Sequence, residues 1–236
     1  MAHSKPRRTQ KKRKSTARKK KPRVQFKSTL TKALRTKDAI IVGIDEVGRG
    51  PVAGPVAVCT LWYRSQDHEY LNKKLVGITD SKKVHVNKRR KYAKIAQDLQ
   101  DEGTLHYTIQ FASAKKIDTQ GIMKCLYDGI ERGLLIAEKS GLKNTDYVFL
   151  DGSLKAPEKF YKQKTIIGGD GKVFAISVAS VIAKVARDEL MEEYGIRYPQ
   201  YGLEHHKGYG TTAHLQAIKK HGLSPLHRAT FLTKYL

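Results

Sequence analysis

Residues 41–56, which read IVGIDEVGRGPVAGPV, decide both the fold and the position of a candidate site. An apolar run leads directly into Asp45 and Glu46, and a loop rich in Gly and Pro follows. Short apolar runs bounded by Gly and Pro are typical of buried strands. Two acids at the end of such a strand lie at the edge of a core, where burying a charge is costly unless it has a partner. The stretch therefore indicates metal-dependent chemistry at a strand end.

The remaining pattern alternates strands with helices. It predicts strands over residues 40–47, 56–63, 105–112, 147–150 and 165–167. It predicts helices over residues 87–101, 118–140, 174–194 and 212–222, with an irregular polar segment over 64–77. Asp80 or Ser81 is expected to cap the first of these helices, and Asp118 or Thr119 the second. This order is typical of one α/β domain with a mixed β-sheet flanked by helices.

Charge divides the chain into two parts. The 236 residues carry a formal net charge of +24, and residues 1–37 contain 16 Lys or Arg and no acid. We predict that residues 1–37 form a disordered polybasic tail and that residues 38–236 form the folded domain. A strongly basic chain favours a polyanionic partner, most simply nucleic acid. A solubilising or non-specific role for the tail is an alternative that the sequence leaves open.

Several classes of protein are excluded by composition. No stretch approaches 18 apolar residues and no apolar face accompanies the basic run, so a membrane partner is not expected. Cys59 and Cys125 form no CxxC pair, which excludes a disulfide scaffold and a cysteine zinc site. The N-terminus has no apolar signal region. We expect an intracellular protein in the cytoplasm, associated with the nucleoid in a prokaryote, or in the nucleus of a eukaryote.

Acids stand at the ends of three predicted strands: Asp45 with Glu46, then Asp151, then Asp170. Sites in α/β sheets gather where strand ends and loops converge. Carboxylates brought together repel each other, and oxygen ligands of this kind favour Mg²⁺ or Mn²⁺ over Zn²⁺. Asp before Gly is also a common turn residue, and this alternative stays open from the pattern alone. Adjacent strand residues point to opposite faces, so Asp45 and Glu46 are expected to share a site only if the strand breaks there.

Separate motifs in the chain resemble those of ribonuclease HII, the type 2 ribonuclease H family. They cover residues 40–231 in the family's order. The motifs are DEVGRGPVAGPV at 45–56, DSKK at 80–83, FLDG at 149–152, GDGKVFAISVASVIAKVARD at 169–188, YPQYGLEHHKGYGT at 198–211 and HRATF at 227–231. The resemblance implies a ribonuclease H-like fold with a small C-terminal helical part from about residue 196.

The resemblance also implies the chemistry. Its four catalytic carboxylates match Asp45, Glu46, Asp151 and Asp170, which would bind two divalent cations, Mg²⁺ or Mn²⁺. In such a pair one ion activates the attacking water and the other stabilises the leaving 3′ oxygen. Cleavage then leaves a 3′-hydroxyl and a 5′-phosphate. Asp188 is expected to be a solvated residue or an ion-pair partner rather than a member of the site.

Substrate contacts follow from the same resemblance. Gly48, Arg49 and Gly50 match the family's GRG element, whose backbone can approach a ribose because glycine has no Cβ. The 2′-hydroxyl distinguishes RNA from DNA. Tyr209 matches the tyrosine that stacks on the sugar after the ribonucleotide, although a core role is the alternative for a tyrosine. Candidate phosphate contacts, each of which could instead be a solvated lysine, are Lys82, Lys184 and Lys207.

The implied activity is that of an endoribonuclease. It would hydrolyse the RNA strand of RNA–DNA hybrids and incise 5′ of single ribonucleotides in duplex DNA. Its implied roles are the removal of misincorporated ribonucleotides and of replication primers. A monomer is expected, and the sequence does not identify a replication-clamp partner. Two alternatives remain: a ribonuclease HIII-like hybrid nuclease, and a non-catalytic nucleic-acid-binding protein whose functional part is the tail.

Overall fold

A five-stranded sheet forms the centre of the molecule in a computed structural model that describes Met1, residues 25–81 and residues 83–235. The strands are β1 (Ile40–Val47), β2 (Val56–Arg64), β3 (His106–Ala112), β4 (Tyr147–Asp151) and β5 (Gln163–Ile166). Their order across the sheet is β3-β2-β1-β4-β5. β1 pairs antiparallel with β2 and parallel with β4, so the predicted mixed sheet is confirmed.

Helices cover both faces of this sheet. Those in the described part of the chain are α1 (Gln25–Arg35), α2 (His68–Lys74), α3 (Val86–Asp101), α4 (Ala114–Gln120), α5 (Ile122–Lys139), α6 (Phe174–Arg197), α7 (Leu203–His206), α8 (Thr212–His221) and α9 (Ala229–Leu232). None of these helices is both long and apolar enough to cross a membrane.

Alternation along β1 divides the core between the two faces. Ile41 belongs to the cluster on the α6 side, whereas Val42 and Ile44 belong to the cluster on the α5 side. On the α6 side, a Cβ placed on Gly43 would lie 2.3 Å from the carbonyl carbon of Ala175. The absence of a side chain at residue 43 therefore lets the first turn of α6 lie directly on the strand that carries Asp45.

A third, smaller apolar cluster joins the C-terminal segment to the loop between β1 and β2. It contains Val52 and Ala53 of the loop, Met191 of α6, and Tyr201 and Leu203 of the C-terminal segment. The loop is also held by backbone pairing, because the N–H groups of Val52 and Ala53 both donate to the carbonyl oxygen of Gly208. The loop that follows the two acids is therefore fixed from outside the sheet.

Four predictions of local structure were wrong. The segment over residues 64–77 contains α2, and the 118–140 segment is two helices separated by Gly121 at φ 79°. Ser113, rather than Asp118 or Thr119, caps α4 by accepting a hydrogen bond from the Lys116 N–H. His85, rather than Asp80 or Ser81, caps α3. Polar residues near a helix start are common, and tertiary contacts decide which of them becomes the cap.

The N-terminal segment differs in part from its prediction. Residues 25–35 form α1, whose Ala33 is fully buried against the α6-side core. The prediction that residues 1–37 are disordered is therefore wrong for residues 25–35, which form α1. The part of that prediction that concerns residues 2–24 falls outside the described residues. Cys59 and Cys125 are free and buried.

The close approach at Gly43 gives a stability prediction. Gly43→Ala should lower the free energy of unfolding by about 1–3 kcal/mol or more, because the added methyl overlaps the backbone of Ala175. Urea denaturation measures the change. Gly171→Ala is the matched control, since a Cβ at Gly171 meets nothing within 4 Å. Equal stability of the two variants would contradict the close packing of α6 on β1.

Candidate active site

Asp45 and Glu46 lie near the end of β1. Asp45 is only 7% exposed, and its carboxylate accepts a hydrogen bond of 2.8 Å from the Glu46 N–H. The Ser180 side chain on α6 lies beside this carboxylate, and its hydroxyl donates to Oγ of Ser81. Glu46 forms an ion pair with Arg49 at 3.1 Å. The strand continues through Val47, so the break expected between the two acids is absent. Both carboxylates nevertheless line one cavity, because the cavity lies at the strand end rather than on one face.

Asp151 and Asp170 come from the neighbouring strand and the turn before α6. Asp151 is the last residue of β4, and its carboxylate accepts a hydrogen bond of 2.6 Å from the Gly169 N–H. Asp170 lies in a 3₁₀ turn, Gly169–Gly171, rather than at the end of β5. The Ser177 hydroxyl fixes this turn by donating to the Asp170 carbonyl at 2.6 Å.

The structure brings all four predicted carboxylates to one cavity of about 400 Å³. The cavity is open on one side and also holds the GRG residues and Tyr209. Its lining residues are Asp45, Glu46, Val47, Gly48, Arg49, Gly50, Ser81, Asp151, Asp170, Ser180, Lys184 and Tyr209. Sequence reasoning missed Ser81 and Ser180, whose hydroxyls are hydrogen bonded at 2.9 Å, because buried serines carry no distinctive pattern.

Burial and repulsion between neighbouring acids change the acidity of Asp45 and Glu46. The pKa of Asp45 is well above its ordinary value, mainly because burial disfavours the charged form, with repulsion from Glu46 and Asp151 added. Burial also raises the pKa of Glu46, while the hydrogen bond and charge of Arg49 act in the opposite direction. The protein therefore holds acidic groups together at a free-energy cost that a bound cation would relieve.

The donor set fits hard divalent cations. Four carboxylates supply only oxygen, which Mg²⁺ and Mn²⁺ prefer. Among the described residues, however, no group of three or more His, Cys, Asp or Glu side chains is arranged so that it could hold a metal ion directly. Binding would therefore require the carboxylates to rotate toward each other across the cavity.

Tyr209 faces the GRG loop across the cavity. Tyr209 is 47% exposed, which excludes the core role that the sequence left open. A Cβ added to Gly50 would lie 3.7 Å from its Cε1 atom. His214 supports this segment from behind: its Nδ1 lies 2.8 Å from the Tyr209 carbonyl oxygen, and its Nε2 lies 3.1 Å from Nε2 of His227. The tyrosine is thus exposed on a backbone that is held from within.

The three candidate lysines occupy different positions. Lys184 lines the carboxylate cavity and forms an ion pair of 2.7 Å with Asp188. Lys207 lies outside this cavity, where its ammonium group pairs with Glu192 at 2.8 Å. Lys82 lies outside the described residues. Asp188 is largely buried and does not line the cavity, as its expected ion-pair role predicts.

The structure adds two fully buried residues that sequence reasoning did not assign to the site, Arg187 and Arg228. Both donate hydrogen bonds to carbonyl oxygens of the loop after β1. Both arginines lie within motifs that the sequence analysis identified, at residues 169–188 and 227–231. Their positions in those motifs could have drawn attention to them, but the sequence does not show that a charged side chain is buried.

Comparison with known proteins places these features in a family. The sequence model of the family described as Ribonuclease HII matches residues 42–234. The chain belongs to the ribonuclease HII family. It is therefore a ribonuclease H-type endonuclease.

Two curated ribonuclease HII proteins illustrate the similarity within this family. The protein of Endomicrobium trichonymphae is 38% identical over 192 residues, covering 81% of this chain and 84% of the relative. That of Clostridium beijerinckii is 41% identical over 197 residues, covering 83% of this chain and 68% of the relative.

Solved structures agree with ribonuclease HII membership at the level of the fold. Ribonuclease H2 of Pyrococcus horikoshii OT3 has a TM-score of 0.58 at 24% identity, covering 83% of this chain and 96% of that one. The ribonuclease HII in the PCNA complex from Archaeoglobus fulgidus has a TM-score of 0.60 at 21% identity, with 80% and 93% covered. Bst-RNase HIII in complex with Mn²⁺ has a TM-score of 0.63 at 17% identity, with 86% and 70% covered.

The raised pKa of Asp45 gives a prediction for stability against pH. Without divalent cations, Asp45→Asn should unfold at a higher temperature than the unmutated protein at pH 7. Because the folded-state pKa is above the unfolded-state value, the unmutated protein loses stability as pH rises between these two values. The gain of the variant should therefore vanish below about pH 4. Thermal unfolding across pH measures it.

The exposed Asp98, which pairs with Lys94, provides the matched control. Asp98→Asn should show no comparable gain. Added Mn²⁺ should raise the unfolding temperature of the unmutated protein more than that of Asp45→Asn. A loss of stability in Asp45→Asn at pH 7 would contradict the cost assigned to the carboxylate cluster.

Proposed function

We propose that this enzyme hydrolyses the RNA strand of RNA–DNA hybrids and incises duplex DNA 5′ of single embedded ribonucleotides. The observation that carries the proposal is the presence of four carboxylates, the GRG loop and Tyr209 around one cavity. The carboxylates provide the cleavage chemistry, while the loop and the tyrosine face the position of the sugar. Membership in the ribonuclease HII family supports both assignments.

In this proposal Asp45, Glu46, Asp151 and Asp170 are the catalytic residues and the metal ligands. Two divalent cations, Mg²⁺ or Mn²⁺, would supply Lewis-acid activation of water and of the leaving oxygen when bound. The chain holds two of the acids in place through fixed backbone donors: the Glu46 N–H orients Asp45, and the Gly169 N–H orients Asp151. The Mn²⁺ complex of the structurally similar Bst-RNase HIII supports a divalent cation in this fold.

Recognition of the substrate is assigned to the other half of the cavity. Backbone groups of Gly48, Arg49 and Gly50 would contact the ribose and its 2′-hydroxyl, and the Tyr209 ring would stack on the next sugar. Lys184 is the phosphate contact that the geometry favours, since it lines this cavity. Lys207 would reach the phosphates of a longer duplex only by leaving its ion pair with Glu192. Lys82 stays a prediction from the sequence.

The two alternatives are weaker. The family match is to ribonuclease HII, although HIII structures share the fold. A non-catalytic nucleic-acid-binding protein has no use for buried acids that repel phosphates, and membership in an enzyme family opposes it. A single embedded ribonucleotide is the substrate that separates the HII-type from the HIII-type activity.

A cleavage assay tests the proposal. With Mg²⁺ or Mn²⁺, the protein should cut a labelled duplex 5′ of its single ribonucleotide and leave a 3′-hydroxyl. Asp45→Asn should lower kcat by at least about a hundredfold, the scale for losing one preorganised electrostatic group, while binding persists. Asp98→Asn is the control and should cut normally. If the unmutated protein cuts neither this duplex nor an RNA–DNA hybrid, the proposed function is wrong.

The basic segment gives a second prediction. Residues 2–24 contain 12 Lys or Arg and no acid. We infer that this segment strengthens duplex binding through counterion release. Deleting residues 2–24, which leaves α1 intact, should weaken binding at low salt and flatten the dependence of log affinity on log salt concentration. Fluorescence anisotropy measures both quantities, and unchanged affinity at low salt would exclude this role.

A further inference from the structure

Two buried guanidinium groups lie beneath the loop that follows the acids. Arg228 donates from Nε to the Gly54 carbonyl oxygen at 2.9 Å, from Nη1 to that of Arg49 at 3.2 Å and from Nη2 to that of Gly48 at 2.7 Å. Its guanidinium also lies 5.2 Å from the ring centroid of Phe231. One side chain from the C-terminal segment thus binds three peptide groups of the loop, including two of the GRG element.

Arg187 of α6 binds the other end of the loop. It donates from Nε to the Pro55 carbonyl oxygen at 2.9 Å and from Nη2 to that of Ala53 at 3.3 Å. Its Nη1 donates to the carbonyl oxygen of Lys207 at 3.0 Å. Arg187 therefore connects the loop to the segment that carries Tyr209, so the two sides of the proposed sugar site share one support.

Burial of these charges is costly. The pKa of Arg228 is lowered to about 9, mainly by burial and also by repulsion from Arg187, and burial lowers the pKa of Arg187 as well. A buried charge is tolerated when its donors are satisfied, and all six hydrogen bonds described for these groups end on backbone carbonyls. A hydrophobic pair could fill the space, but it could not orient peptide groups.

The orientation of those peptide groups has a direct consequence. The described chain contains no cis peptide bond. In a trans peptide the carbonyl and the following N–H point in opposite directions. Because Arg228 holds the carbonyls of Gly48 and Arg49, the N–H groups of Arg49 and Gly50 are turned away from the buried guanidinium. They are donors on a loop that lines the carboxylate cavity.

We propose that Arg228 and Arg187 are specificity-determining positioning residues that hold the N–H donors of the GRG loop, and Tyr209 opposite them, in the geometry that selects a ribose. The inference rests on the proposed function, since it names what builds the sugar site. Gly48 completes the arrangement: at φ 92°, a Cβ on it would lie 2.3 Å from Nε of Arg187. The guanidinium occupies the space that any larger residue at position 48 would need.

The test uses the full chain with Arg228→Lys and Arg187→Lys. Each change keeps the charge and the aliphatic stem but cannot make three hydrogen bonds in a fixed plane. The measurements are kcat/KM on a duplex with one embedded ribonucleotide and the inhibition constant of an all-DNA duplex of the same sequence. Arg197→Gln, at an exposed position near the end of α6, is the matched control. Unfolding temperatures confirm that the variants are folded in the assay.

For Arg228→Lys, kcat/KM should fall on the order of a hundredfold, the scale for a reacting group misplaced by about 1 Å. The inhibition constant of all-DNA duplex should stay within about twofold, because contacts to phosphates do not depend on the loop donors. Arg187→Lys should show the same split, while Arg197→Gln should match the unmutated protein.

Three results would overturn the proposal. Unchanged kcat/KM in both variants would show that the loop keeps its geometry without the guanidiniums. A parallel loss of all-DNA binding would indicate general damage to the nucleic-acid surface. Failure of both variants to fold at the assay temperature would assign the arginines to stability. The proposed function fails separately, through absence of cleavage by the unmutated protein.

Discussion

The close contact between β1 and the start of α6 is the constraint on which the site depends. Gly43 lets the helix backbone lie directly on the strand, two residues before Asp45. This approach brings the Ser180 side chain of α6 to the Asp45 carboxylate. It also sets the position from which Arg187, farther along α6, reaches the loop after β1. The same strand, β1, and the same helix, α6, therefore position both the catalytic carboxylate Asp45 and the loop proposed to recognise the sugar.

Two groups of buried charge of opposite sign lie next to β1 and α6. The cavity surface carries Asp45 and Glu46, whose pKa values are raised mainly by burial and also by repulsion from neighbouring acids. Behind the adjoining loop, two guanidiniums are buried and bind only backbone oxygens in the described hydrogen bonds. Neither the acids nor the guanidiniums contribute to stability in the way that an apolar core does, since each buried charge carries a desolvation cost. Proteins commonly accept such costs at functional sites, where the geometry they impose is useful.

Much of the fold and of the site could be predicted from sequence because short stretches of neighbouring residues determine both. β1 has the predicted bounds, Ile40–Val47, and the four acids predicted at or near strand ends line a single cavity. The predictions that were wrong concern features that depend on contacts between distant parts of the chain. The cap of α3 is His85 rather than Asp80 or Ser81, and α1 forms where charge alone predicted disorder, because Ala33 is buried against the core.

The buried arginines could not be predicted for a different physical reason. Their partners are carbonyl oxygens, which every residue possesses, so no residue type at the other end of the contact marks it. The hydrogen bond from Arg228 to Gly48 joins residues 180 positions apart. Contacts at such separations form only after the intervening chain has found its place, which makes them late and costly in entropy. Local opening of the C-terminal segment would therefore release the loop while the sheet and its acids stayed folded. In that partly open state the protein would keep its catalytic carboxylates but lose the loop geometry that selects a ribose. Selectivity for ribose over deoxyribose would therefore be lost before the sheet unfolds.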